Sequence, residues 1–263
     1  MIDVKERIDK MSNIILKANE VCKSFAHDGG QIHVLTNVNL DIYEGDFTVI
    51  MGASGSGKST LLYALSGMDK ATSGNVIYNG TDINEMKEKE LTKLRHTDFG
   101  FVFQQMHLVS NLTLFENVCI SGYLNKDKKA NDVKEYATSL LKRMNIDEVK
   151  THLPSQVSGG EQQRAAIARA VINKPKIVFA DEPTGALNKK NSIEVLDLLS
   201  DLNNDGQSII MVTHDIKGAV RADRLLYLSD GNIVGEFKMP KYSKEQEKNR
   251  EQQVSSWLNS LEW

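Results

Sequence analysis

Gly52-Ala53-Ser54-Gly55-Ser56-Gly57-Lys58-Ser59-Thr60 decides the fold of this chain. The spacing is G-x-x-x-x-G-K-[ST], the pattern of a loop that cradles phosphate groups. Such a loop must turn its backbone N–H groups inward, and side chains at the closest approaches would block the phosphates. Gly52, Gly55 and Gly57 meet that demand, with Ser54 and Ser56 between them. Lys58 brings a positive charge to the β- and γ-phosphates, and the hydroxyls of Ser59 and Thr60 follow at once; the Ser59 hydroxyl suits Mg²⁺. The flanks fit the same reading. Phe47–Met51 is an apolar run with the character of a buried strand, and Lys58–Leu65 has the character of a helix whose N-terminus faces the phosphates.

Composition narrows the field. The chain has 263 residues, 40% of them hydrophobic and 25% charged, with a net charge of −3. This is enough to bury a substantial core, and it carries no strongly basic footprint for nucleic acid. No apolar run reaches the ~20 residues of a membrane span. The start, Met1-Ile2-Asp3-Val4-Lys5-Glu6-Arg7, does not read as a signal peptide. Cys22 and Cys119 have no metal-ligand spacing and read as reduced thiols. His27, His33, His96, His107 and His152 likewise form no metal pattern.

Along the chain, residues 1–13 read as an extension and 14–238 as one nucleotide-binding domain. Strands are expected near 14–18, 34–42, 75–78, 99–103, 176–181, 208–212, 224–229 and 232–238. From about 104 to 171 the pattern turns helical. Val133, Tyr136, Ala137, Leu140, Leu141 and Met144 recur at helical spacing, and a long helix follows Gly160. Residues 124–130 form a charged link. Further helices are expected over 192–202 and 216–222. Strands alternating with helices predict a mostly parallel sheet covered on both faces. In the tail, 239–263, Val254, Trp257, Leu258 and Leu261 predict a short amphipathic helix that docks on the domain.

Two more stretches carry chemistry. Ile177-Val178-Phe179-Ala180-Asp181-Glu182 is an apolar strand ending in two carboxylates. A buried strand tolerates such groups only at its end, where cation and water meet them. Asp181 suits Mg²⁺ through its water, and Glu182 suits a general base for the attacking water. Val157-Ser158-Gly159-Gly160-Glu161-Gln162-Gln163-Arg164 places a hydroxyl and free backbone N–H groups at a helix start. That is a second anion-binding surface, and it makes sense if it receives the γ-phosphate held by another copy of the chain.

The phosphate loop, the Ser158–Glu161 helix start, the strand with Asp181 and Glu182, and Val212-Thr213-His214-Asp215 together resemble the nucleotide-binding subunit of an ATP-binding cassette (ABC) transporter, over about residues 14–238. The resemblance implies an α/β fold: a RecA-like P-loop NTPase core, an antiparallel β subdomain, and a helical subdomain inserted at about 104–171. It implies ATP and Mg²⁺ as ligands. It puts Phe25 where an aromatic ring stacks on adenine, and His214 at the histidine that contacts the γ-phosphate. Gln104 falls at the glutamine that senses Mg²⁺ and water, and residues 185–188 at a loop crossing to a second subunit. The implied partners are a second copy of the chain, in a head-to-tail dimer with two composite sites, and a transmembrane permease on a separate polypeptide. The implied place is the cytoplasmic face of the membrane.

Gly100–Gln104, Thr113–Val118 and Ala180–Gly185 are similar to the macrolide-exporter, lipoprotein-release and peptide-antibiotic-exporter group. This implies export of, or resistance to, antimicrobial peptides, macrolides or lipid-anchored substrates. A regulatory ATPase that signals through a membrane partner without transport is the alternative. A soluble ABC ATPase of repair, translation or iron–sulfur assembly fits less well, since no long coiled-coil or zinc insertion and no second cassette is present. Three positions depart from the family pattern: Asn188 stands for the usual Asp, Val157 for Leu, and Phe25 for the commoner Tyr. Met106, Leu108, Val109 and Leu112, after Gln104, form an unusually apolar connection; it suits either the helical subdomain's own core or a groove for a permease helix.

Overall fold

The computed structural model describes residues 13–27 and 30–261. The expected extension, 1–13, lies outside these except for Asn13. The chain forms two compact units: residues up to Leu91 together with Leu202 onward, and Thr92–Asp201.

In the first unit, β1 (Ile14–His27) and β2 (Gly30–Tyr43) make a long antiparallel ribbon. β4 (Ser73–Tyr78) pairs with the other edge of β1, and β5 (Thr81–Asp82) with β4. The ribbon is much longer than the expected strands. Its register shifts at several places, and Glu20 and Asn37 take positive φ of 49° each. These bulges break the period-two alternation by which a strand is read.

β3 (Phe47–Met51) runs parallel between β8 (Ser208–Val212) and β9 (Arg224–Ser229), and β10 (Asn232–Lys238) lies antiparallel beside β9. Every residue of β3 and β8 is buried, as expected for apolar runs covered on both faces. α1 (Lys58–Leu65) follows the phosphate loop, and α2 (Glu88–Thr97) carries the chain towards the second unit. α2 was not anticipated. Its sequence is Glu-Lys-Glu-Leu-Thr-Lys-Leu-Arg-His-Thr, and only Leu91 in it is buried, so it shows almost no apolar stripe.

The second unit pairs β6 (Phe99–Phe103) with β7 (Ile177–Asp181) in parallel, ending at the register pair Phe103 and Asp181. Phe179 packs against Phe99 edge-on and Phe101 face-on, with centroids 5.0 and 5.6 Å apart. Its helices are α3 (Leu114–Tyr123), α4 (Ala130–Arg143) and α5 (Gly159–Val171); α6 (Lys189–Asn204) leads back to the first unit. α4 buries Val133, Ala137, Leu140 and Leu141, the stripe that its spacing predicts.

In the first unit, α7 (Ile216–Ala219) and the C-terminal α8 (Glu247–Asn259) complete the fold. α8 is the amphipathic helix of the tail, and the structure shows where it docks. Val254 and Leu258 are fully buried, and Trp257 stacks on Phe237 of β10 at 5.5 Å. Arg250 is the unexpected member. It is 1% exposed and donates to three main-chain oxygens, those of Val220, Ala222 and Pro240. Those bonds explain how a guanidinium is tolerated there.

Candidate functional site

The first unit carries the phosphate loop between β3 and α1. Two glycines are fixed by close approach. A Cβ on Gly52 would come within 2.2 Å of the Leu228 oxygen. Gly57 has φ +100°, and a Cβ there would lie 2.9 Å from the Val34 oxygen. Gly57 is also the N-cap of α1, so no side chain caps that helix, and no acidic residue lies in its first turn. A helix start of this kind turns its positive dipole end towards the loop. Lys58 is buried and turns its ammonium back on the loop, donating at 2.9 Å to the Gly52 and Ala53 oxygens. The Ser56 hydroxyl is buried and finds no hydrogen-bond partner among the described residues. A buried hydroxyl without a partner beside an uncapped helix start fits a phosphate ligand.

The same unit holds Phe25 and His214. Phe25 is 43% exposed. Lys23 lies under its ring, 5.0 Å from the centroid, and is itself held at 2.6 Å by Asp69 and at 2.7 Å by the Lys70 oxygen. One ring face is thus covered by a cation. His214 is exposed at the end of β8. The residues on either side of it are fixed: the Thr213 N–H donates to the Ile50 oxygen at 3.2 Å, and Asp215 caps α7 by accepting from the Lys217 N–H at 2.9 Å. At the foot of β3, burial and the Asp223 carboxylate push the Asp46 carboxyl up from 3.8 to about 6, against the pull of Arg224 and Lys241.

The second unit brings together Gln104, Asp181 and Glu182. Gln104 follows β6, and Asp181 ends β7 with 8% exposure. Glu182 takes φ +44°, an unusual conformation for a residue with a side chain, and its oxygen accepts from the Gly185 N–H at 3.0 Å. Gly185 lies against the Gln104 side chain, where a Cβ would meet Nε2 at 2.8 Å. A residue that the sequence reading passed over joins these parts. Gln163 of α5 is fully buried, and its Nε2 donates to the Phe103 oxygen at 3.0 Å and the Pro183 oxygen at 2.8 Å. A glutamine inside a polar helix start gives no sequence signal of such a task.

Ser158 and Glu161 close the start of α5 in a capping box. The Glu161 carboxylate accepts from the Ser158 N–H and hydroxyl, both at 2.7 Å, and the Glu161 N–H donates back to the hydroxyl at 3.3 Å. The Ser158 hydroxyl and N–H hold the Glu161 carboxyl below its ordinary range. Gly159 is exposed; Gly160 is buried against Asn191, where a Cβ would come within 2.5 Å of the side chain. Asn188, the departure from the family pattern, accepts from the Asn191 N–H at 3.0 Å, one turn into α6. The amide caps the helix as a carboxylate would.

The residues also fit Mg²⁺ by their chemistry. Ser59, Gln104 and Asp181 offer a hydroxyl, an amide oxygen and a buried carboxylate, all hard oxygen ligands.

Comparison with known proteins follows the same line. Residues 35–185 match the family model described as ABC transporter. The chain is 41% identical over 226 residues to the macrolide export ATP-binding/permease protein MacB of Pasteurella multocida, covering 86% of this chain and 35% of that protein. It thus spans about a third of the length of the curated relatives it matches. Among solved structures, it is 40% identical to the ATP-binding cassette MJ0796, in a dimeric post-hydrolysis state bound to ADP and Pi. The TM-score is 0.80, over 86% of this chain and all of that one. It is 28% identical to cbiO1 of Clostridium perfringens, part of the ABC transporter complex cbiONQ, with TM-score 0.78 over 94% and 95% of the two chains.

Proposed function

This chain belongs to the ABC transporter family, and on that premise we propose that it hydrolyses ATP to drive a membrane permease. The observation that carries the proposal is the start of α1: an uncapped helix end, a buried lysine ammonium and an orphaned Ser56 hydroxyl around one loop. Phe25 stacks on the adenine with its free face. The loop N–H groups and Lys58 bind the phosphates, Lys58 exchanging the Gly52 and Ala53 oxygens for theirs. Glu182 takes the proton of the attacking water. Gln104 orients that water, and His214 contacts the γ-phosphate. Ser59, Gln104 and Asp181 would hold Mg²⁺, which neutralises charge on the phosphates when bound.

Two copies pair head to tail. Each composite site joins the phosphate loop of one copy to Ser158, Gly159, Gly160 and Glu161 of the other. The dimeric form of MJ0796 supports this pairing. The cassette lies at the cytoplasmic face of the membrane, and no helix among the described residues is long and apolar enough to cross it. The curated relatives named for macrolide export support an export or resistance role, for antimicrobial peptides, macrolides or lipid-anchored substrates.

Force leaves through the connection after Gln104. Asn117 is fully buried and ties this loop down: its side chain accepts from the Val109 N–H at 2.7 Å and donates to the Val109, Leu112 and Thr113 oxygens. Arg169 donates to the Met106 and His107 oxygens at 2.6 Å each. The backbone is satisfied inward while Val109 stays 42% exposed and Met106, Leu108 and Leu112 half-exposed. A fixed loop that offers apolar side chains suits a permease helix. Leu108→Asp should therefore keep basal hydrolysis within about twofold while losing co-purification with the permease; full co-purification would move the docking surface elsewhere.

The central test is Glu182→Gln. The amide keeps size and hydrogen bonding but cannot accept the water's proton, so turnover should fall by about 10²- to 10⁴-fold while ATP binding persists. A stable dimer should accumulate on ATP. Normal turnover in this variant would end the assignment.

A further inference from the structure

Gln163 does something that no residue of the proposed chemistry does. It sits on α5, five positions after Ser158, and its one carboxamide nitrogen grips two backbones. One acceptor is Phe103, the residue before Gln104; the other is Pro183, the residue after Glu182. β6 and β7 pair up to Phe103 and Asp181 and then part. The carboxamide therefore ties the two segments together at the point where the ladder ends.

Two further observations show that this is more than filling. The side chain is fully buried, yet its Oε1 has no partner among the described residues. Burying a half-satisfied amide costs free energy that its two bonds to main-chain oxygens must offset, so the bridge and not space filling keeps glutamine here. Beside it, Glu182 is held at φ +44°, a conformation that costs of order 1 kcal/mol for a residue with a Cβ. Such a backbone persists only when its surroundings fix it. The bond to the Pro183 oxygen fixes one side of Glu182, and the bond from the Gly185 N–H to its own oxygen fixes the other.

We propose that Gln163 is a positioning residue for hydrolysis: it locks Gln104 and Glu182 to helix α5, so that engagement of Ser158–Gly160 is transmitted to the catalytic pair of the same chain. This rests on the reading of Glu182 and Gln104 given above. Since Ser158 of one chain would serve the ATP held by its partner, the Gln163 bridge connects the two composite sites of a dimer through about one and a half turns of helix. ATP at one site then sets the geometry of the other.

The test uses the full chain with Gln163→Met, which keeps the length and removes the donor. Kd for ATP, kcat, the Hill coefficient of hydrolysis and the thermal midpoint without nucleotide are measured, with Glu182→Gln alongside. Gln163→Met should bind ATP within about twofold of the parent. Its kcat should fall about 10- to 100-fold, the range expected for a misplaced catalytic group, and any cooperativity in ATP should be lost. Gln163→Asn reaches only one of the two oxygens, and it should fall between the parent and the methionine variant; it also serves if methionine prevents folding. A parental kcat and Hill coefficient in a folded variant would overturn the proposal. So would a kcat that falls only in step with ATP affinity and thermal midpoint. If Glu182→Gln loses turnover and Gln163→Met does not, the bridge is idle and the ATPase reading stands. If Glu182→Gln keeps turnover, both fall.

Discussion

The starts of α1 and α5 are both glycine-rich, and both were read as anion sites, yet the structure finishes them differently. α1 begins at Gly57 with no side-chain cap and no acid in its first turn. α5 begins at Ser158 with a complete capping box, its carboxylate already drawn onto the helix N-terminus. The first start has no side chain drawn onto it. The second is satisfied alone, and an arriving phosphate must share Ser158 with Glu161. The difference fits the proposed head-to-tail pairing, in which one chain would hold its own nucleotide with α1 and touch its partner's nucleotide only transiently with α5. A site that must release on every cycle gains from a competing internal ligand.

The sharpest way to break this contrast is Lys58→Ala. It removes a charge from the open start, and a hydrogen bond to a charged group contributes about 1.5–3 kcal/mol, or roughly 10- to 150-fold in affinity. ATP binding by a single chain, followed by calorimetry, should weaken by that much, and turnover should be lost. Unchanged affinity would remove Lys58 from the site. Ser158→Arg should behave oppositely. ATP binding by the monomer should stay within about twofold while turnover disappears, because the blocked surface serves the partner's nucleotide. Mixing the two variants gives dimers with one site carrying both lesions and one carrying neither. Partial recovery of activity supports the head-to-tail pairing. If Ser158→Arg weakens binding by the monomer as strongly as Lys58→Ala does, the two starts do not differ in this way.

The sequence exposes the elements whose chemistry is local. The phosphate loop is readable because its glycines, lysine and hydroxyls stand at a fixed spacing within nine residues, and β3 and β7 because they are unbroken apolar runs. Four features were not readable, for different physical reasons. The length of the β1–β2 ribbon is hidden by bulges that shift the alternation. α2 buries one residue and has nothing to stripe. Gln163 and Arg250 act by gripping main-chain oxygens, and main-chain oxygens are the same in every sequence. Position in three dimensions decides that a glutamine on α5 meets Phe103 and Pro183. Asn188 is the converse case: a visible departure from the family pattern that keeps an intact helix cap.

The smallest effect, and the finest test of the comparison, is Glu161→Gln. The carboxyl of Glu161 is held below its ordinary value of 4.5 by the Ser158 hydroxyl and N–H. A lowered folded-state value contributes stability that is present above the unfolded value and lost as pH falls through the folded one. The thermal midpoint of the parent should therefore exceed that of Glu161→Gln at neutral pH, and the gap should close below about pH 4.5. ATP should see the opposite sign. On the proposed pairing, the carboxylate that stabilises the empty helix start would also stand against the negative charge of the partner's γ-phosphate, so its neutral isostere, which keeps the place in the composite site, should tighten ATP-driven dimerisation. A charge at a helix N-terminus is worth about 0.3–1 kcal/mol, which corresponds to roughly 2- to 5-fold. The control is the start of α3, where Thr113 and Glu116 form the same box and Glu116 is likewise held low by Thr113. Glu116→Gln should lower the thermal midpoint with the same pH dependence and leave ATP-driven dimerisation unchanged. If both glutamine variants shift dimerisation alike, the effect is one of net charge, and the box at Ser158 does not compete with nucleotide.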